Sequence, residues 1–152
     1  MPRHAEQKDL PYPAHDLYAL VADVDRYPEF LPWCVGARVY GRRGDVFYAD
    51  LLIGFRTFRE RFTSRVSLTP PGPDQEGRIA VDYIKGPLSY LHNDWRFHDN
   101  GDGTTRVDFV VDFAFKNRMF EIMVGGLFTE AVHRMVLAFE KRAEEVYGTP
   151  AP

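Results

Sequence analysis

Alternation of apolar and polar residues gives way to a helical period at Asn117, and this switch organises the chain. Thr105, Val107, Phe109, Val111, Phe113 and Phe115 fall on one side of an extended segment, with Arg106, Asp108 and Asp112 on the other, the pattern of a strand buried on one face. Beyond it, Phe120, Val124, Leu127, Phe128, Ala131, Met135, Ala138 and Phe139 recur every three or four residues, opposite Glu121, Thr129, His133, Glu140 and Glu144. That spacing predicts one amphipathic helix with a broad apolar face. A helix of about thirty residues is roughly 45 Å long, so it is expected to lie along a large sheet.

The remaining elements follow from the same reading. Residues 3–10 form a polar edge strand. Pro13 suits the first position of a helix, where its missing N–H is not needed, and Leu17, Leu20, Val21 and Val24 make that helix's apolar stripe. Asp25 is placed to cap a second short helical turn reaching Phe30, bracketed by Pro28 and Pro32. Strands are expected at roughly 34–41, 45–53, 55–68, 78–85, 89–98 and 104–116, the last two joined by a strong hairpin signal, Asn100-Gly101-Asp102-Gly103. The predicted order is β-α-α-β-β-β-β-β-β-α. Strands joined by short turns build an antiparallel sheet that buries one face. Curvature around a single long helix is the natural packing, with Gly54 and Gly86 available for bends or bulges. The expected class is α+β, a helix-grip arrangement in one domain over residues 1–148, with 149–152 a short disordered tail. A curved sheet and a straight helix fill space imperfectly, and a mostly apolar cavity between them is expected.

Composition narrows the function. A chain of 152 residues, 45% of them hydrophobic, has the size of one domain with a substantial core. The net charge of −3 comes from interspersed acids and bases, which argues against DNA binding and leaves room for local basic stripes. Cys34 is a lone cysteine and no charged-then-apolar leader opens the chain, so a reducing cytoplasm is expected. Apolar runs are far short of the ~20 residues that span a bilayer. Any membrane contact is expected to be peripheral, through the helix around Phe120 to Phe128.

Candidate site residues come from parity. Phe113 and Phe115 on the last strand face Met119, Met123, Leu127 and Phe128 on the helix, with Phe62 and Trp95 as further apolar wall. Such stripes read either as plain core or as cavity lining, and both readings stay open. Phe30 and Trp33 form a lid, or a plug, near the end of the second helical turn. Tyr48, Asp50 and Tyr83 are the candidates to present a polar group to a bound ring. Arg59, Arg61 and Arg65 share a parity opposite Phe58, Phe62 and Val66, a solvated face or a contact for ribosomal RNA or anionic lipid. His92, Asp94, Arg96 and His98 read as an outward polar face, and no metal is assigned. Cys34 reads as a small buried hydrophobe. No catalytic triad, glycine-rich phosphate loop or paired-carboxylate motif is evident.

Three motifs carry a family resemblance: Tyr27-Pro28-Glu29-Phe30-Leu31-Pro32-Trp33-Cys34; Lys85-Gly86-Pro87-Leu88 followed by Trp95-Arg96-Phe97; and Val111-Asp112-Phe113-Ala114-Phe115-Lys116-Asn117. Together they resemble the coenzyme-Q-binding START-domain family of the polyketide cyclase (Bet v 1-like) superfamily, and its bacterial relative, the RatA-type ribosome-association toxins. The resemblance runs from Lys8 to Tyr147 and leans toward the quinone branch at Trp33. It implies the helix-grip fold, ubiquinone as bound ligand in support of respiration, no further cofactor and no catalytic residues. Such a carrier would be cytoplasmic, with peripheral contact to the inner face of the cell membrane. The toxin branch implies instead binding to the large ribosomal subunit and blocked subunit joining. A polyketide cyclase or aromatase would need an acid or base inside the cavity, for which Asp50 and Tyr83 are the candidates.

Overall fold

A computed structural model describes residues 3–55, 58–119 and 128–148. The elements are β1 (Arg3–Leu10), α1 (Ala14–Ala22), a 3-10 helix (Val24–Glu29), β2 (Cys34–Arg43), β3 (Val46–Phe55), β4 (Phe58–Thr69), β5 (Gly77–Lys85), β6 (Leu88–Asp99), β7 (Thr105–Phe115) and α2 (Phe128–Tyr147). The order is the expected one. Residues 120–127, where the long helix was expected to begin, and the tail 149–152 lie outside the described residues.

Seven antiparallel strands form one sheet in the order β1-β7-β6-β5-β4-β3-β2. Chain neighbours pair throughout β2 to β7, as short turns dictate, while β1 joins the far edge beside β7. The connection from β1 to β2 must therefore cross the whole sheet. It does so as α1 and the 3-10 helix, which turn Leu17, Tyr18, Val21 and Val24 into the core. Pro13 is the extended residue just before α1, and Asp23, not Asp25, precedes the 3-10 helix; neither position caps through its side chain. The 3-10 helix thus starts two residues earlier than the expected Asp25 cap would have it, because the chain continues from α1 into the next turn with a single intervening residue.

Phe139 of α2 is the hub of the interior. Its ring lies 5.1 Å from Trp95 on β6, 5.4 Å from Tyr27 and 5.2 Å from Phe30, all edge-on. Edge-to-face rings each contribute about 0.5–1.5 kcal/mol beyond the area they bury. Phe97 is 1% exposed, stacked parallel to Trp95 and met edge-on by Tyr18 of α1. At the β1 edge the contact with α2 is ionic: Lys8 Nζ donates to Glu140 at 2.7 Å, and Glu6 lies 3.7 Å from His133. This explains why a polar strand can face a helix.

Phe97→Ala is expected to cost about 3–5 kcal/mol, since it opens a cavity where α1 meets β6. The urea unfolding midpoint, with its slope checked for two-state behaviour, measures this.

Candidate ligand-binding site

The concave face changes character along its strands. Near the start of β7, Phe47, Val66, Ile79, Phe97 and Val107 are buried in one cluster with residues of α1 and α2. Toward the other end, Leu51, Phe62, Tyr83, Leu91, Phe113 and Phe115 keep the same parity but are only half-buried. The helices fill one end of the grip, and apolar surface remains at the other.

At that open end the sheet splits. Pairing of β5 with β6 runs from Gly77↔Phe97 to Asp82↔His92 and stops. Beyond it, Tyr83 and Lys85 pair only with β4, and Leu88 to Leu91 only with β7. A cleft of about 340 Å³ occupies the split, lined by Tyr83, Ile84, Lys85, Leu88, Leu91 and Lys116 among others. The Tyr83 hydroxyl accepts the Leu88 N–H at 2.9 Å, bridging the two strands. Gly86 makes this contact possible: at φ +150° its Cβ would sit 2.7 Å from that hydroxyl and 2.9 Å from the Arg61 carbonyl oxygen. Burial pushes the Tyr83 hydroxyl above the usual phenol range, so it stays protonated and can donate to a carbonyl.

Of the expected residues, Phe62, Tyr83, Phe113 and Phe115 share the open end with Leu91, and the Phe113 and Phe115 rings meet edge-on at 5.3 Å. Trp95 is core, 7% exposed and wedged among Phe97, Phe109 and Phe139. Phe30 also closes the core, with the Arg142 guanidinium 5.1 Å above its ring, and borders a second cleft of about 290 Å³ between α1 and α2. Trp33 holds a left-handed backbone at φ 66°, which costs a residue with a Cβ roughly 1–2 kcal/mol. Its carbonyl is fixed there by the Gly54 N–H at 2.8 Å. Met119 is 70% exposed. Met123 and Leu127 lie outside the described residues, as does the side chain of Phe128, so the helix wall of the expected cavity falls outside them too.

Tyr48 is a correction, and Asp50, whose side the alternation left open, goes with it. Both sit on the convex face: Tyr48 stacks on Tyr40 at 6.0 Å, and Asp50 accepts hydrogen bonds from Thr63 at 2.7 Å and Tyr40 at 3.2 Å. Neither can reach a ligand in the grip. Arg59, Arg61 and Arg65 are exposed on the same convex face, Arg65 within 3.3 Å of Asp82. His92, Asp94, Arg96 and His98 also face outward, and Asp94 pairs with Arg78 at 3.0 Å. Among the described residues no group of three or more potential metal ligands forms. Asn93 shares the concave parity with Leu91, Trp95 and Phe97, as the alternation indicates, but its Nδ2 donating to the Val110 carbonyl at 2.9 Å is a polar anchor the sequence did not single out. The β5–β6 split also went unread, although Gly86 followed by Pro87, which cannot donate to a ladder, was its signal.

The family described as polyketide cyclase/dehydrase and lipid transport matches residues 10–140. The chain belongs to that family. Ribosome association toxin RatA of Pseudomonas aeruginosa is 36% identical over 139 residues, which cover 91% of this chain and 93% of that protein. Coenzyme Q-binding protein COQ10 homolog B, mitochondrial, of Xenopus laevis is 35% identical over 149 residues, covering 95% of this chain but 59% of the Xenopus protein. The solution structure of the 18 kDa protein CC1736 from Caulobacter crescentus is 38% identical, covers 98% of this chain and 100% of that one, and superposes with a TM-score of 0.75. The helix-grip fold of the family is therefore shared along the chain, and both branches read from the sequence motifs are represented among its relatives. Among the described residues no helix is long and apolar enough to cross a membrane.

Cys34 gives this region a measurable handle. It is 6% exposed, its Sγ lies 3.6 Å from the Gly36 carbonyl, and burial raises its pKa. As pH rises the unfolded chain therefore loses this proton first. The contribution to stability is full below the ordinary thiol range, about 8.5, and declines above it. Native protein at pH 8 should alkylate far more slowly with iodoacetamide than urea-unfolded protein, read as mass shift against time. Cys34→Ala should flatten the alkaline fall in stability.

Proposed function

We propose that this family member binds a hydrophobic isoprenoid quinone at the open end of the grip and acts as a carrier supporting respiration, without catalysing a reaction. The observation that carries the reading is the half-buried apolar end of the concave face, next to a split in the sheet and the Tyr83 hydroxyl. Leu51, Phe62, Leu91, Phe113 and Phe115 offer apolar surface to an isoprenoid tail, each Å² removed from water contributing about 25 cal/mol. Tyr83 would donate to a ring carbonyl, the polar anchor such sites use. The family's lipid-transport description and the coenzyme-Q-binding name of one relative support the same reading. Under this reading the carrier works in the cytoplasm.

A cyclase is the weaker reading. Asp50, the carboxylate it would need, faces outward. Ribosome association keeps a specific observation in its favour. The Pseudomonas relative of that name matches along nearly its whole length, and Arg59, Arg61 and Arg65 present guanidinium groups on the convex face.

Mass spectrometry of organic extracts from gently purified protein should find a co-purifying quinone. In titrations with a short-chain ubiquinone followed by tryptophan fluorescence, Leu91→Asp should weaken binding at least about a hundredfold by placing a charge in the apolar end. Tyr48→Phe should leave binding unchanged. Absence of quinone both in extracts and in titration would remove the carrier reading.

Replacing Arg59, Arg61 and Arg65 together with Glu should leave quinone affinity intact. Wild-type protein that instead co-sediments with large ribosomal subunits, with a steep salt dependence abolished by this triple change, would establish the ribosome reading through counterion release.

A further inference from the structure

Strand polarity gathers a distinctive set of side chains at the open end. In an antiparallel sheet, the start of β2, end of β3, start of β4, end of β5, start of β6 and end of β7 all lie together. Close contacts tie them: the Lys116 N–H donates to the Pro87 carbonyl at 3.1 Å, Gly86 abuts the Arg61 carbonyl, and Val35 and the Arg59 side chain flank Gly54. Among the described residues this rim carries Arg59, Arg61, Lys85, Lys116 and Arg118 against Glu60 and Asp82, the latter paired with Arg65. It also exposes large aliphatic side chains: Val35 at 49%, Ile84 at 51% and Met119 at 70%. The opposite end reverses the sign. Its turns hold Asp45, Asp74, Glu76, Asp99 and Asp102 against Arg42 and Arg43. Elsewhere on the sheet, Arg65, Arg78 and Arg96 each sit on a carboxylate, whereas the five rim cations make no ion pair among the described residues.

We propose that this rim docks on a lipid surface bearing anionic headgroups, with Ile84 and Met119 entering the interface and the β5–β6 split facing the bilayer. Charge complementarity chooses the occupant, since unpaired cations in a chain of net charge −3 are oriented as a patch that an anionic surface attracts. The aliphatic residues between them choose lipid over nucleic acid. Ile, Val and Met gain from burial in hydrocarbon, whereas single-stranded nucleic acid is held by aromatic stacking as well as by cations. The inference deepens the quinone reading, because it puts the cleft where a membrane-borne ligand enters. It is tested without quinone, so each can fail alone.

Co-sedimentation with vesicles of equal parts phosphatidylglycerol and phosphatidylcholine, against phosphatidylcholine alone, reads the docking. Wild-type protein should pellet with the anionic vesicles and release as salt rises. Lys85→Glu/Lys116→Glu should weaken partitioning roughly thirtyfold or more, and Ile84→Asn/Met119→Asn roughly tenfold. Lys141→Glu on α2 should leave it unchanged, which separates position from net charge. The charge-reversed variant should keep the wild-type urea unfolding midpoint, showing that the fold is intact. No preference for anionic vesicles, or an equal loss with Lys141→Glu, would overturn the proposal. So would wild-type pelleting with ribosomes that is lost in the lysine variant but kept in Ile84→Asn/Met119→Asn.

Discussion

Everything in this fold passes through the ring of Phe139. One side chain on α2 touches Trp95 of the sheet and Tyr27 and Phe30 of the segment that crosses it. A curved sheet, a straight helix and a crossing strap are thereby brought to one point. Tyr27 is held in turn by its hydroxyl donating to the Val21 carbonyl, so the strap cannot slide. Interiors are close-packed, and three elements meeting at one point leave little freedom nearby. The freedom that exists lies away from that point, at the end of the grip where the concave face is only half-covered.

The sequence was most legible where one face was purely apolar. β6 and β7 alternate cleanly, so Trp95, Phe97, Phe109, Phe113 and Tyr83's neighbour Leu91 were assigned to the correct side. β3 was less legible, because Phe47, Tyr48, Ala49, Leu51, Leu52 and Ile53 put apolar atoms on both faces. A period of two does not choose between faces that both look buried: Tyr48 was placed inside, the side of Asp50 stayed open, and both belong outside. Irregularities were invisible for another reason. The bulges near Cys34, Tyr40, Thr63 and Leu88 depend on how neighbouring strands slip past one another, a non-local property that no single segment encodes. The family motifs located the fold, but the choice between ligand and partner rests on side chains at one rim.

The split between β5 and β6 explains how a small domain can hold both a rigid core and an entrance. Strand pairing is cooperative along a ladder, and ending it at Asp82↔His92 would ordinarily leave raw backbone edges. The Tyr83 hydroxyl satisfies one of them, and β4 and β7 hold the outer sides of the separated strands. The opening therefore costs few lost hydrogen bonds, and it lies beside the half-buried apolar residues.

The two outermost strands have a consequence of their own. An open sheet presents unpaired amides and carbonyls along β1 and β2, the geometry from which edge-to-edge aggregates grow. On β1 the residues are Arg3, His4, Glu6, Gln7, Lys8 and Asp9, charged and polar in both directions. On β2 two bulges interrupt the register, and Arg42 and Arg43 ride on the second. Flat, apolar docking of a second copy is thus discouraged at both margins. Solubility at high concentration is written into the borders of the sheet, independently of whatever the grip holds.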